Sequence, residues 1–123
     1  MIFSLQGTVQ ELTPTYAVIN VQGVGYYVGI SLLTSQKLLL NQETFLFIQQ
    51  IIREDAHLLF GFNTRSEKEM FNLLISVNGV GAVSALILLS TFSLNEIASA
   101  VLSGNSALIQ KAKGIGAKTA ERI

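Results

Sequence analysis

Apolar positions in the first sixty residues gather into short runs between polar and turn residues. Runs at residues 2–9, 16–22, 26–30, 44–52 and 57–62 are rich in Val, Ile, Phe, Tyr and Thr, and turn residues such as Thr13-Pro14-Thr15 and Gly23-Val24-Gly25 separate them. Five short strands in so little chain predict a small closed barrel of the OB type, because closure removes the exposed edges of so small a sheet.

The pattern then changes. Thr64-Arg65-Ser66-Glu67 has the form of a capping box, and Met70, Phe71, Leu74 and Ile75 follow at helical spacing, which predicts a helix from Arg65. Ser93-Leu94-Asn95-Glu96 is a second box, opening a helix that runs through Leu102 and stops at Gly104. The predicted class is α+β, with an OB-fold barrel over residues 1–62 and an all-α domain over residues 63–123, the boundary falling at Gly61 to Thr64.

The helical half repeats itself. Gly79-Val80-Gly81-Ala82-Val83-Ser84-Ala85 aligns with Gly114-Ile115-Gly116-Ala117-Lys118-Thr119-Ala120, identical at four of seven positions and 35 residues apart. Each copy reads as a tight hairpin between two helices. Glycine, at Gly116 as elsewhere in the motif, supplies positive φ and lets a ligand approach the main chain, while Val80 or Ile115 plugs the turn into the core. A helix that starts directly afterwards presents unpaired N–H groups and the positive end of its dipole, an anion site suited to a nucleic-acid phosphate. A single Gly-x-Gly is explained as a plain connection between helices. Two copies related by an approximate two-fold can each grip one strand of a duplex, without reading bases.

Charge sharpens this reading. Net charge is zero, but residues 1–62 set Lys37 and Arg53 against Glu11, Glu43, Glu54 and Asp55, whereas residues 63–123 hold six basic and four acidic residues. Lys111, Lys113, Lys118 and Arg122 crowd the second copy, so a polyanion should meet the C-terminal end. Only 13% of the 123 residues are charged, 50% are hydrophobic, and mean hydropathy is +0.50, an apolar excess that predicts self-association. The absence of Cys and the single His57 argue against thiol, metal and triad chemistry, and His57 reads as an ordinary strand residue. With no secretory leader and no apolar run long enough for a membrane, the chain reads as cytoplasmic.

Gly23-Val24-Gly25-Tyr26 reads as a strand turn, since it opens no helix and lacks dinucleotide spacing. Glu54 and Asp55 at a hairpin tip read either as solvated turn residues or as a negative prong that repels phosphate and separates strands.

Together, Met1-Ile2 with Gly7, the Gly23-Val24-Gly25-Tyr26 turn, Ile52-Arg53-Glu54-Asp55-Ala56, Leu58-Leu59-Phe60-Gly61-Phe62, Asn78-Gly79-Val80-Gly81 and the segment from Gly114 to Arg122 resemble the RuvA family, the Holliday-junction-recognition subunits of a bacterial branch-migration machine. The resemblance spans the whole chain. It implies an OB barrel followed by tandem helix-hairpin-helix motifs. It also implies a homotetramer, or an octamer of two such tetramers, on an open four-way DNA junction, with no catalytic residue, metal or cofactor. DNA-binding residues implied by it are Gly79, Val80, Gly81 and Ser84, then Gly114, Ile115, Gly116, Lys118, Thr119 and Arg122; Glu54 and Asp55 become an acidic pin at the junction centre. The implied partners are the RuvB motor, reached through a further C-terminal domain, and the RuvC resolvase, so the chain reads as a shortened form of the family. It departs from the family at Ser4, Gln6, Val83 and Ala117, where basic residues are frequent. Competing readings are a DNA-processing enzyme, disfavoured because no Asp follows Gly116, and an oligomerisation module with purely structural hairpins.

Overall fold

Leu5, Val9, Ala17, Ile19, Val28, Leu46 and Ile48, apolar residues from the first four runs, are buried together in one cluster. In the computed structural model, which describes residues 1–110 and 116–123, they lie on the first four of five strands: β1 (Ser4–Leu12), β2 (Tyr16–Val21), β3 (Val24–Gly29), β4 (Glu43–Ile52) and β5 (His57–Phe62). The strands close into a barrel in the order β1-β2-β3-β5-β4. β1 serves both halves of the barrel, pairing with β4 from Ser4 to Thr8 and with β2 from Thr8 to Leu12. The register shifts between Val9 and Glu11, the kind of bulge that bends a strand around a barrel corner. Closure is parallel, β3 on β5 at Gly29 and Phe60.

The β2–β3 turn lies one step earlier than the glycine pattern suggests. Val21 pairs with Val24, so Gln22 and Gly23 form a two-residue loop with φ of 50° and 94°, and Gly25 is a strand residue opposite Asn20. Positive φ at both loop positions matches the twist of the flanking strands.

A short helix not anticipated from the sequence, α1 (Leu32–Lys37), joins β3 to β4. Its cap, Ser31, is fully buried with Thr34. The Ser31 hydroxyl accepts from the Thr34 N–H and donates to Thr34 Oγ1, both at 3.2 Å, and the Thr34 hydroxyl donates to Glu67 Oε2 at 3.3 Å. Glu67 sits in the first turn of α2 (Arg65–Ile75). The expected box at Thr64 forms with one change. Thr64 Oγ1 accepts from the Glu67 N–H at 3.2 Å, while the Glu67 carboxylate accepts from the Thr64 hydroxyl at 3.1 Å. That carboxylate thus ties the first turn of α2 to α1, and the chain divides into compact units at Met1–Lys68 and Glu69–Ile123.

In the second unit follow α3 (Ala82–Thr91), α4 (Leu94–Ser103), α5 (Ser106–Gln110) and α6 (Ala117–Arg122). Phe71, Leu74, Val80, Ala85, Leu88, Phe92, Ile97 and Ala100 are buried here. The Ser93 box is complete, with Glu96 N–H to Ser93 Oγ at 3.1 Å and Ser93 N–H to Glu96 Oε1 at 2.8 Å. Gly104, at φ 70°, ends α4 as expected. Among the described residues no single helix is long and apolar enough to cross a membrane.

Candidate nucleic-acid interface

The first hairpin starts where α2 runs out. Val77 N–H reaches Leu74 O at 3.1 Å, and Val80 N–H closes onto Val77 O at 3.0 Å. Gly79 carries the chain through φ 93°, a conformation that side chains with a Cβ rarely adopt. Val80 then turns inward and is only 6% exposed. The turn is therefore anchored from beneath by one apolar side chain.

Gly81 follows as the N-cap of α3, at φ −91° and ψ 178°, with no side-chain cap hydrogen bond. A Cβ built on Gly81 meets nothing within 4 Å. Open space thus lies beside the start of a ten-residue helix whose cap supplies no side-chain acceptor, at the positive end of its dipole. Ser84, in the first turn of α3, is half-buried, and Val83 is 71% exposed. What this surface offers an anion is backbone N–H groups rather than side-chain charge.

Of the second hairpin, Gly114 and Ile115 lie outside the described residues, as do Lys111 and Lys113. What is described repeats the first copy. α6 begins one residue after Gly116, as α3 begins one residue after Gly81. Ala120 N–H bonds Gly116 O at 2.9 Å, and Ala85 N–H bonds Gly81 O at 3.0 Å; both alanines are buried. Gly116 is exposed and faces open space, but it does not take the positive φ expected of it. In the first copy that conformation belongs to the leading glycine, Gly79, because the second glycine has already swung into the extended geometry of an N-cap. Lys118 and Thr119 fall on α6.

Arg122, at the end of α6, is exposed, and its Nη1 donates to Asn78 O at 3.4 Å. The last basic residue of the second copy is thereby brought to the threshold of the first hairpin. Sequence patterning groups Arg122 with the second copy, and its approach to a main-chain carbonyl 44 residues away leaves no local signal in the sequence.

In the barrel unit, Arg53 and Ala56 exchange main-chain hydrogen bonds at 2.7 and 3.4 Å and leave Glu54 and Asp55 as the exposed two-residue tip between β4 and β5. His57 is an exposed residue at the start of β5. No group of three or more His, Asp or Glu that could hold a metal occurs among the described residues. Lys68 is mostly buried, with Nζ 3.7 Å from the centre of the Phe3 ring and the Arg65 guanidinium 5.6 Å from the same ring. Burial first, and the Arg65 charge second, hold the Lys68 ammonium below its ordinary pKa. Its stem and charge are spent on packing against Phe3.

Residues 1–61 match the RuvA N terminal domain, and residues 71–123 match a SAM-like helix-hairpin-helix tandem. A Holliday junction branch migration complex subunit RuvA from Campylobacter fetus is 40% identical over 124 residues, covering all of this chain and 67% of the relative. The chain belongs to the RuvA family. Other RuvA subunits of the same name are 45% identical in Porphyromonas gingivalis, over all of this chain, and 48% identical in Flavobacterium psychrophilum, over 99% of it. The chain spans 61% and 63% of the length of those two RuvA relatives. The closed barrel followed by helices is the fold that RuvA membership implied.

Proposed function

We propose that this chain binds four-way DNA junctions by shape and without regard to base sequence, as the non-catalytic recognition part of a branch-migration assembly. The observation that carries this reading is the first hairpin, where a positive-φ glycine and an uncapped Gly81 leave open space at the start of α3. Its described repeat at Gly116 supplies a second grip, with Gly114, Ile115, Lys118, Thr119 and Arg122 completing it and Gly79, Val80, Gly81 and Ser84 forming the first. Residues 1–62 act as the oligomerising barrel and residues 63–123 as the DNA-binding domain. Four copies arranged around the crossover, or eight as two facing tetramers, place Glu54 and Asp55 at its centre as a repelling pin. The relatives' name, branch migration complex subunit, supports junction DNA and an ATP-driven motor of the RuvB type as partners; a cytoplasmic setting and the resolvase RuvC as a further partner are part of the same proposal.

Gel-shift titration of four-way and linear DNA of unrelated sequences tests this. The expected result is tighter binding of every junction than of any duplex, with no cleavage when divalent metal is added. Equal affinity for the two shapes contradicts junction recognition, and cleavage contradicts the non-catalytic assignment.

A further inference from the structure

The first hairpin has a backbone suited to phosphate and no cation of its own. Val83 occupies the position that repeats as Lys118 in the second copy, and it is 71% exposed. Among the described residues, one charge that the structure ties to this hairpin comes from the other copy: Arg122 Nη1 lies 3.4 Å from Asn78 O, immediately before Gly79. We infer that Arg122 serves the first hairpin as well as its own, supplying from the second copy the phosphate-facing charge that Val83 does not provide. The inference rests on reading that hairpin as a phosphate grip.

The chemistry fits one side chain doing two jobs. A guanidinium has five N–H donors in a rigid planar fork; a bond to Asn78 O fixes its position and leaves other edges for a phosphate oxygen pair. A lysine could supply the charge but not the oriented fork.

A double-mutant cycle between R122Q and V83K reads the assignment, since Val83 is exposed and has no part in the grip. At low salt R122Q should weaken junction binding about fivefold and lower the log-log salt slope by about 0.9, one phosphate. V83K should restore both in the R122Q background, and should add much less to the wild type, where Arg122 already neutralises the same phosphate. Equal gains from V83K in both backgrounds would place Arg122 elsewhere and overturn the inference, as would an unchanged slope in R122Q. K118Q is the contrasting arm, because V83K should be additive with it. If R122Q fails to fold by circular dichroism, R122K takes its place: losing the fork should cost affinity that V83K recovers, and purely additive behaviour again overturns the inference. A wild-type chain that does not prefer junctions would instead defeat the proposed function itself.

Discussion

The barrel and the helical unit treat their polar groups in opposite ways. In the barrel unit one set of polar and charged side chains is turned to internal use, while Glu54 and Asp55 stay exposed at a turn. Ser31, Thr34 and Glu67 form a buried relay, and Lys68 lies against Phe3. In the helical unit the informative polar groups are main-chain ones, and they face outward: Gly81 caps α3 with no side-chain partner, and neither Gly81 nor Gly116 has a neighbour where a Cβ would stand. A surface that recognises DNA by shape does not need a dense patch of lysines. It needs backbone donors held in place from beneath, as Val80 holds the first turn, with a few charges beside them.

Gly79→Val should give the largest effect, because it strikes both the fold of the hairpin and its binding. Forcing a β-branched residue to φ 93° costs roughly 1–3 kcal/mol. Thermal melting should show a lower Tm, and junction binding should fall by more than about tenfold. A Gly79→Val chain with unchanged Tm would show that the turn accepts another path.

Gly81→Val and Gly116→Val separate binding from folding more cleanly. Neither position needs positive φ and neither added Cβ meets a neighbour, so Tm should change little. The new side chains occupy the space assigned to phosphate, and junction affinity should fall about tenfold, more than for Lys113→Ala, which removes one screened charge. Equal losses from Gly116→Val and Lys113→Ala would move the weight of binding from backbone to side-chain charge. Binding of the wild type should weaken with salt, with a log-log slope of about −0.9 for each phosphate neutralised. Lys68→Met is the smallest expected change and the control from the other region. It keeps the stem against Phe3 and removes a partly desolvated charge, so junction affinity should hold and stability should shift by less than about 1 kcal/mol.

The same contrast explains what the sequence discloses. All five strands are legible as short β-branched and aromatic runs between turn residues, and β5 has the predicted bounds, residues 57–62. The helix starting at Arg65 and the helix stopped by Gly104 are legible from their caps. α1 is not, since six residues give too little periodicity and its buried anchors, Ser31 and Thr34, are polar residues that read as loop. The hairpins stand out through their repetition, yet the glycine pattern alone does not tell which glycine takes positive φ. Distinguishing Gly79 from Gly81 requires knowing where the next helix begins. The approach of Arg122 to Asn78 joins residues 44 apart and leaves no local mark.

The central claim is that the hairpins provide grip while the barrel's acidic tip provides discrimination. Side-by-side titration of junction and linear duplex, at one salt concentration, with wild type, Gly81→Val and the double variant Glu54→Gln/Asp55→Asn tests it most directly. The tip substitutions lie on an exposed turn and should alter stability by no more than about 0.5 kcal/mol. The account predicts that Gly81→Val weakens both DNAs and nearly preserves their ratio, whereas the double variant keeps or raises junction affinity and lowers the ratio. An unchanged ratio in the double variant, or a Gly81→Val chain that binds both DNAs as the wild type does, would contradict it.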